Sequence, residues 1–295
     1  MGRELAALYP VARETFDEAD AAVGYKLSEL CFEGPEDKLK LTEVTQPAIL
    51  TASVAAWRVL QSKGITPSYV AGHSLGEYSA LVAADSLLLE EAVCLVRKRG
   101  QYMQEAVPVG QGAMAALLGM EASAVEEVCR EAAQGEVVSP ANFNCPGQVV
   151  ISGHRGAVER AVALARGRGA KRAIMLNVSA PFHCALMKPA QERLEKDLDG
   201  AAISDPKIPL ANNVDAELAY SADRVREGLK RQVTAPVRWE QAMRVLRGQN
   251  VDCFIEVGPG KVLSGLLRQI DPQAECLRIE DRATLNEVLA RLGAA

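Results

Sequence analysis

The sequence predicts an α/β protein with a mainly parallel sheet and a small domain inserted into it. Short apolar runs alternate with amphipathic helical stretches in both end regions of the chain, a pattern that favours a sheet covered by helices on both faces. The stretch from 111 to 178 has the order β-α-β-β-α-β, which is typical of a ferredoxin-like unit. The predicted division is a large unit, residues 1–110 and 179–295, and a small unit, residues 111–178.

Helices dominate the predicted first part of the large unit. Pro47 is predicted to begin a helix that continues over 48–62, because proline is favoured in the first helical turn. The apolar run 69–71 has the length of a buried parallel strand. Two further helices are predicted to follow, over 75–84 and 90–106.

The small unit lies between two joints. It begins at Gly110-Gln111-Gly112 and ends just before Ser179-Ala180-Pro181, and glycine and proline are typical of such loops. Its predicted strands are 113–118, 137–143, 149–152 and 172–178, and its predicted helices are 122–133 and 157–168.

The chain then returns to the large unit through further alternation of helices and strands. The last predicted strand runs into Gly258-Pro259-Gly260, which is expected to end it. The predicted helices of this part are 187–198, 222–232 and 239–247, and the predicted strands are 208–212 and 253–257.

Composition and charge exclude several classes of protein. The 295 residues are 48% hydrophobic and 24% charged, as in ordinary globular proteins, and the net charge of −5 argues against general nucleic-acid binding. The longest mostly apolar stretch, 48–60, is too short to span a membrane. Seven scattered cysteines without a Cys-x-x-Cys pair indicate reduced thiols, a cytoplasmic protein and no zinc site.

One pentapeptide, Gly72-His73-Ser74-Leu75-Gly76, has the Gly-x-Ser-x-Gly pattern of a nucleophile elbow. In an elbow the serine occupies a strained turn between a strand and a helix, and the helix points its positive end at the serine hydroxyl. The two glycines are expected to allow that tight turn, and the backbone N–H of Leu75 to donate to an oxyanion. The alternative is a tight turn that contains a serine by chance, but the predicted strand and helix favour the elbow.

A serine nucleophile needs a base at neutral pH, and the sequence contains only three histidines. His73 is adjacent to Ser74, so its side chain is expected to leave the elbow in another direction and to pack or hydrogen-bond. His154 lies at the start of a helix of the small unit, where a surface or capping role is expected. His183 lies where the chain returns to the large unit, facing a cleft, and elimination favours it as the base.

Five segments together carry a resemblance to a known family. They are Gly72-His73-Ser74-Leu75-Gly76-Glu77-Tyr78, Asn142-Phe143-Asn144, Pro146-Gly147-Gln148, Ala180-Pro181-Phe182-His183 and Glu256-Val257-Gly258-Pro259-Gly260. Over about residues 1 to 290 the chain closely resembles the malonyl-CoA:acyl-carrier-protein transacylases, which load malonyl groups for type II fatty acid synthesis. The resemblance implies a hydrolase-like α/β core with a ferredoxin-like insert.

The resemblance implies a role for each matched residue. Ser74 is implied as the acylated nucleophile, His183 as its base, and Gln232 as the residue whose backbone carbonyl orients that base. Arg99 is implied to grip the malonyl carboxylate, which a planar guanidinium can hold with two parallel hydrogen bonds. Without the resemblance, the pattern Arg97-Lys98-Arg99 indicates a basic helix face exposed to solvent.

Two further contacts with substrates are predicted. Phe182 is implied by the resemblance to limit bulk at the α-carbon of the malonyl group. Carrier proteins of this pathway are acidic, so docking one on an acidic chain requires a local basic patch; the alternative is an ordinary solvated helix end. The predicted patch comprises Arg166, Arg168, Lys171 and Arg172.

The sequence departs from the family at its amino end. The family has a short strand and a Gly-Gln-Gly loop before the helix that starts here near Gly2, and neither is in this sequence. The loop supplies a second oxyanion donor beside Leu75, and loss of such a donor costs on the order of 100- to 1000-fold in rate. The similar Gly110-Gln111-Gly112 lies at a joint and is no substitute. Two expectations follow: either the sequence as given is a truncated version, or the activity is impaired.

The resemblance therefore implies a malonyl-CoA:acyl-carrier-protein S-malonyltransferase of fatty acid biosynthesis. Its implied partners are malonyl-CoA and acyl carrier protein, without nucleic acid, membrane, metal or tightly bound cofactor. Three alternatives stay open: a serine esterase or thioesterase, which the elbow alone allows; an acyltransferase of a polyketide pathway; and an impaired subunit that only binds a carrier protein, because the loop is absent.

Overall fold

Five helices precede the first short strand in the computed structural model, which describes residues 1–294. The helices are α1 (Arg3–Leu8), α2 (Pro10–Val23), α3 (Leu27–Glu33), α4 (Glu36–Leu39), α5 (Thr42–Ser62), α6 (Gly76–Ala83), α7 (Leu89–Glu105), α8 (Ala122–Ala133), α9 (Arg155–Gly167), α10 (Lys188–Gly200), α11 (Ala222–Gln232), α12 (Trp239–Gly248), α13 (Val262–Ile270) and α14 (Arg282–Leu292). The strands are β1 (Val70–Ala71), β2 (Gly112–Leu118), β3 (Val138–Cys145), β4 (Gln148–His154), β5 (Arg172–Met175), β6 (Leu210–Ala211), β7 (Leu218–Ala219), β8 (Cys253–Val257) and β9 (Glu275–Ile279).

Helix α5 begins at Thr42, earlier than predicted, and carries Pro47 inside it rather than at its start. A proline there removes one backbone hydrogen bond and normally destabilises a helix by about 3 kcal/mol. The reason that it is tolerated is burial, since nearly every residue of α5 from Gln46 to Leu60 is buried. Packing of this central helix on all sides therefore outweighs the local preference of proline for a helix start.

The small unit has the predicted order of elements, β2-α8-β3-β4-α9-β5. Its four strands form one antiparallel sheet in the spatial order β3-β4-β2-β5. Alternate residues of β2 and β4 point to opposite faces. One face, with Leu117 and Ile151, packs against the apolar sides of α8 and α9, and the other, with Met114 and Val150, packs against Phe182.

The strands of the large unit are shorter and more divided than predicted. Parallel pairs are present, β1 with β6 and β8 with β9, but β6 also pairs antiparallel with β7 and the strands form two separate sheets. The strand predicted over 208–212 is reduced to Leu210–Ala211 because the chain turns back at once into β7. The α/β prediction is thus confirmed, whereas a single parallel sheet is not what residues 1–294 form.

The two joints of the small unit lie against each other. A Cβ atom on Gly112 would come within 2.3 Å of the Pro181 ring, so only glycine fits at this position. The small sheet also continues into the large unit, because Phe143 donates to the carbonyl of Val237, and Val237 donates to that of Ala141. The first of these contacts fixes the segment that contains His183 against the start of β2.

No helix within residues 1–294 is both long and apolar enough to cross a membrane.

Candidate active site

Ser74 lies in a strained turn between β1 and α6. Its backbone φ of +52° is in the left-handed region, which side chains other than glycine rarely adopt and which costs about 1–3 kcal/mol. A Cβ atom on Gly72 would lie 1.9 Å from the carbonyl oxygen of Gly76, so position 72 requires glycine. A Cβ on Gly76 would meet nothing within 4 Å, so the close approach in this turn requires glycine at position 72 but not at position 76.

Asn213 holds the strained turn in place. Its side-chain oxygen accepts from the backbone N–H of Ser74 at 2.6 Å, and its amide nitrogen donates to the carbonyl of Gly72 at 2.7 Å. Asn213 is 1% exposed. Asn213 is not among the residues predicted from sequence, although a signal was present: it follows β6, which runs parallel to β1, and the carboxyl ends of parallel strands meet at the same edge.

The structure brings Ser74 and His183 together. The hydroxyl of Ser74 lies 2.7 Å from Nε2 of His183, and Nδ1 of His183 lies 2.9 Å from the backbone carbonyl of Gln232. That carbonyl only accepts hydrogen bonds, so it fixes the proton on Nδ1 and leaves the lone pair of Nε2 toward the serine. His183 is buried, and its φ of +59° is also in the left-handed region.

Burial, and next the positive charge of Arg99, lower the pKa of His183 from 6.5 to about 3. The imidazole therefore stays neutral, and able to accept a proton, throughout the physiological range of pH.

This shift predicts that activity is not lost on the acid side of the pH profile near pH 6.5. The rate of serine acylation at low substrate concentration should not fall near pH 6.5, since protonation of His183 would begin only far below that value. A histidine with the ordinary pKa would lose about tenfold of its basic form by pH 5.5. The measurement is kcat/KM from pH 8 to 5, and a half-maximal point near 6.5 would contradict it.

The other two histidines lie elsewhere. His73 lies 2.9 Å through Nε2 from the side-chain oxygen of Asn144, and its ring centroid is 5.6 Å from that of Trp239. It therefore packs and hydrogen-bonds as expected, and links the elbow to β3. His154 accepts from the backbone N–H of Val137 through Nδ1, at 2.9 Å, and its side chain does not cap α9.

Arg99 reaches the same site from α7. One guanidinium nitrogen, Nη2, donates to the Ser74 hydroxyl at 3.0 Å and to the side-chain oxygen of Gln232 at 2.9 Å, and Nη1 donates to that of Gln46 at 2.7 Å. Arg99 is 2% exposed, and its Nε has no partner within residues 1–294. Burial lowers the pKa of this guanidinium. Its partners are all neutral, so a ligand carboxylate would be its first direct anionic partner in the described part of the chain.

Of the three neighbouring residues Arg97, Lys98 and Arg99, only the first two lie on a solvated basic face. Arg97 lies over the ring of Tyr25, and Lys98 pairs with Asp197 at the surface. Arg99 points the opposite way because three successive residues cover most of a helical turn.

Leu75 is adjacent to Ser74 in sequence, and Phe182 is adjacent to His183. Leu75 precedes the first turn of α6, where backbone N–H groups lack helical partners and the helix dipole is positive. Phe182, adjacent to His183, is partly buried between the small sheet and the large core. No cluster of three or more His, Cys, Asp or Glu side chains in residues 1–294 could hold a metal ion.

Comparison with known sequences finds relatives over nearly the whole chain. The profile of the acyl transferase domain family matches residues 1–277. The malonyl CoA-acyl carrier protein transacylase of Salmonella typhimurium is 49% identical over 289 residues, which are 98% of this chain and 94% of that protein. The protein of the same name from Bacillus subtilis is 48% identical over 99% of this chain and 92% of its own length.

Solved structures are similar over nearly the full length. The malonyl CoA-acyl carrier protein transacylase from Coxiella burnetii superposes with a TM-score of 0.97 at 45% identity, covering 99% of this chain and 93% of that one. A malonyl-transacylase in complex with a type II PKS acyl-carrier protein superposes with a TM-score of 0.96 at 47% identity, covering 99% and 94%.

Proposed function

The chain belongs to the acyl transferase family, among the malonyl CoA-acyl carrier protein transacylases, and we propose that it transfers malonyl groups from malonyl-CoA to acyl carrier protein through an ester on Ser74. One observation carries the mechanism: the Ser74 hydroxyl lies within hydrogen-bond distance of both a neutral base and a buried cation, Nε2 of His183 and Nη2 of Arg99. The first is the arrangement of an activated nucleophile, and the second gives the site a group that binds an acid.

The reaction has two halves that use the same residues. In the first, Oγ of Ser74 attacks the thioester carbonyl of malonyl-CoA while Nε2 of His183 takes the hydroxyl proton, which then leaves with the CoA thiol. In the second, His183 takes the proton of the phosphopantetheine thiol, the sulfur attacks the serine ester, and the proton returns to Ser74. The backbone N–H of Leu75 donates to the oxyanion in both halves.

The backbone carbonyl of Gln232 acts as the orienting group of this dyad. It accepts from Nδ1 of His183 at 2.9 Å, so the ring presents Nε2 to the serine in either half-reaction. A neutral carbonyl stabilises the imidazolium less than a carboxylate would, which suits a base that must return its proton promptly.

The competing function of a serine esterase or thioesterase is tested by the fate of the malonyl group. Malonyl-CoA is incubated with the protein, with and without the phosphopantetheine form of a carrier protein, and malonyl-carrier and free malonate are both measured. We expect the carrier to receive most of the malonyl groups, with little malonate released. Release of malonate at the same rate with or without a carrier would support the esterase.

A polyketide carrier is the second candidate acceptor, because one closely similar structure holds its transacylase together with a type II PKS acyl-carrier protein. Comparison of kcat/KM for carrier proteins from fatty acid and polyketide systems distinguishes the two pathways. We expect the fatty acid carrier to be preferred.

We propose for the fold a hydrolase-like core, residues 1–110 and 179–295, with residues 111–178 as a ferredoxin-like insert. The separate apolar core of the small unit and the contact between Gly112 and Pro181 support this division. The seven cysteines form no disulfide, which is compatible with the proposed cytoplasmic location.

The carrier protein is proposed to dock along β5, the edge strand of the small sheet. Two members of the predicted patch are already engaged, since Arg166 donates to the carbonyl of Ala173 and Arg168 pairs with Glu131. Lys171 and Arg172 are exposed. Beside them lie two exposed apolar side chains of β5, Ile174 and Met175, at 45% and 36% exposure.

Charge reversal at Lys171 and Arg172 is expected to raise KM for the carrier protein about tenfold at low salt, because rim charges steer acidic partners. Acylation by malonyl-CoA should change little. The matched control reverses Lys38 and Lys63, which are exposed and lie in the large unit. An unchanged KM for the carrier would place the docking surface elsewhere.

A further inference from the structure

Glu77 is a buried carboxylate that the proposed mechanism does not use. It lies in the first turn of α6, three residues after Ser74, and is 1% exposed. Its Oε2 accepts from the amide nitrogen of Gln232 at 2.7 Å and from the backbone N–H of Asn213 at 3.2 Å. A carboxylate buried this deeply is rare without a direct cationic partner.

Gln232 connects this carboxylate to the reacting groups. Its amide nitrogen donates to Glu77 and to the carbonyl of Ser74, while its side-chain oxygen accepts from Arg99 at 2.9 Å. Its backbone carbonyl holds Nδ1 of His183. The NH₂ end of the amide therefore faces the negative charge of Glu77, and its oxygen faces the positive charge of Arg99. Glu77 fixes this orientation, because in the reversed amide the NH₂ group would face the donors of Arg99.

The charges of Glu77 and Arg99 act on each other across this amide. Burial raises the pKa of Glu77 to about 7, against the hydrogen bonds from Gln232 and Asn213 and the positive charge of Arg99. Burial lowers the pKa of Arg99, against the nearby Tyr78 and Glu77. No carboxylate within residues 1–294 forms a direct ion pair with Arg99. Glu77 is therefore its counter-ion through the side chain of Gln232, which lies between them.

We propose that Glu77 is a positioning residue that orients Gln232 and serves as the counter-ion of Arg99 until a ligand carboxylate takes over that part. The inference rests on the proposed role of Arg99. When the carboxylate of a malonyl group reaches the guanidinium, two carboxylates share one cation, and the negative charge on Glu77 then opposes binding. Glu77 thus lowers the affinity of the site for acids while keeping the empty site neutral.

Glu77→Gln separates charge from position. Both hydrogen bonds to Glu77 end on the same oxygen, Oε2, so the single oxygen of a glutamine can accept both and keep Gln232 oriented. The negative charge is lost, and the amide NH₂ takes the place of Oε1, which accepts neither of these bonds. Glu77→Asp is the matched control, because it keeps the charge while shortening the side chain.

The probe is malonamate, which carries one carboxylate and a neutral amide, with uncharged malonamide as its control. Calorimetry at pH 8 should give a dissociation constant for malonamate at least about fivefold lower in Glu77→Gln than in the wild type, as expected for two coupled charges. Binding of malonamide should not change. Equal or weaker binding of malonamate in Glu77→Gln would overturn the proposal, because a residue that only supports the fold would weaken every ligand alike.

The wild-type protein supplies a second test that does not depend on a variant. Malonamate should bind more weakly as the pH rises from 6 to 8, because Glu77 becomes charged over that range. The ionisable groups around Glu77 keep their charge there: burial raises the pKa of Tyr78 to about 12 and lowers that of His183 to about 3, and Arg231 holds that of Asp215 low. Affinity independent of pH would contradict the proposal.

Neither binding test requires malonyl transfer. A protein that binds malonamate as described but forms no malonyl ester would refute the proposed function and leave the role of Glu77 standing. If the protein transfers malonyl groups but malonamate binds equally well to the wild type and to Glu77→Gln, the proposed function stands and the role of Glu77 is refuted.

Discussion

Arg99→Ala is expected to lower kcat/KM for malonyl-CoA by about 100-fold or more while leaving acetyl-CoA unchanged or improved. In the proposed complex, the malonyl carboxylate pairs with a guanidinium that is 2% exposed and has no direct anionic partner in residues 1–294. Without Arg99 that carboxylate would be buried unpaired, and breaking a buried pair costs about 3–5 kcal/mol. An acetyl group has no carboxylate and therefore does not lose this ion pair.

The measurement is kcat/KM for malonyl-, acetyl- and methylmalonyl-CoA in the wild type, Arg99→Ala and Arg99→Lys. Arg99→Lys keeps the charge but not the planar fork, so we expect it to recover only part of the malonyl preference. Methylmalonyl-CoA separately tests whether Phe182 limits bulk at the α-carbon. An equal loss for malonyl and acetyl groups would mean that Arg99 supports the site rather than selecting the acid.

Ser74→Ala is expected to abolish covalent malonylation and to lower transfer on the order of 10⁴-fold or more, as for other serine nucleophiles. The change removes one oxygen atom, while the backbone N–H that Asn213 holds is unaffected. The fold should therefore persist, which circular dichroism and the unfolding temperature would verify. A malonyl mass increment on the variant would exclude Ser74 as the nucleophile.

His183→Ala serves as the companion variant. Because one base serves both halves of the reaction, acylation by malonyl-CoA and transfer to the carrier should slow together. Near wild-type acylation in that variant would point to a different base, and His73 would be examined next since it also lies beside the elbow.

Local patterns were enough to predict the elbow, the order of elements in the small unit and the helices that flank the site. The pattern Gly-x-Ser-x-Gly between a strand and a helix predicts an elbow from sequence alone, because the close contact that requires glycine at position 72 is with Gly76, only four residues later. The family resemblance is confirmed by relatives that cover nearly the whole chain. Because the similarity to these relatives extends over nearly the whole chain, segments far apart in sequence could be assigned to one site.

The supporting groups could not be predicted, because they depend on contacts between distant segments. Glu77 meets Asn213 across 136 positions and Gln232 across 155, and no periodicity records such a meeting. Arg97, Lys98 and Arg99 look alike in sequence, and only the packing of α7 shows which one turns inward. Helix α5 runs past Pro47 for a similar reason, since burial overrides local preference.

Short strands were the least predictable part of the fold. β1 and β6 are two residues each, and their pairing depends on the elbow and on the β6–β7 turn rather than on strand-forming residues. The ends of these two strands nevertheless place Ser74 and Asn213 side by side, so the shortest strands of the large unit position the proposed nucleophile.

The most direct test of the account is to isolate the malonyl-enzyme and offer it to a carrier protein. The protein is loaded with malonyl-CoA, freed of CoA, mixed with the phosphopantetheine form of acyl carrier protein, and followed by intact mass spectrometry with peptide mapping. We expect a single malonyl increment on Ser74 that disappears as an equal increment appears on the carrier. A carrier that gains malonyl only when malonyl-CoA is present, or an increment on another residue, would contradict transfer through Ser74.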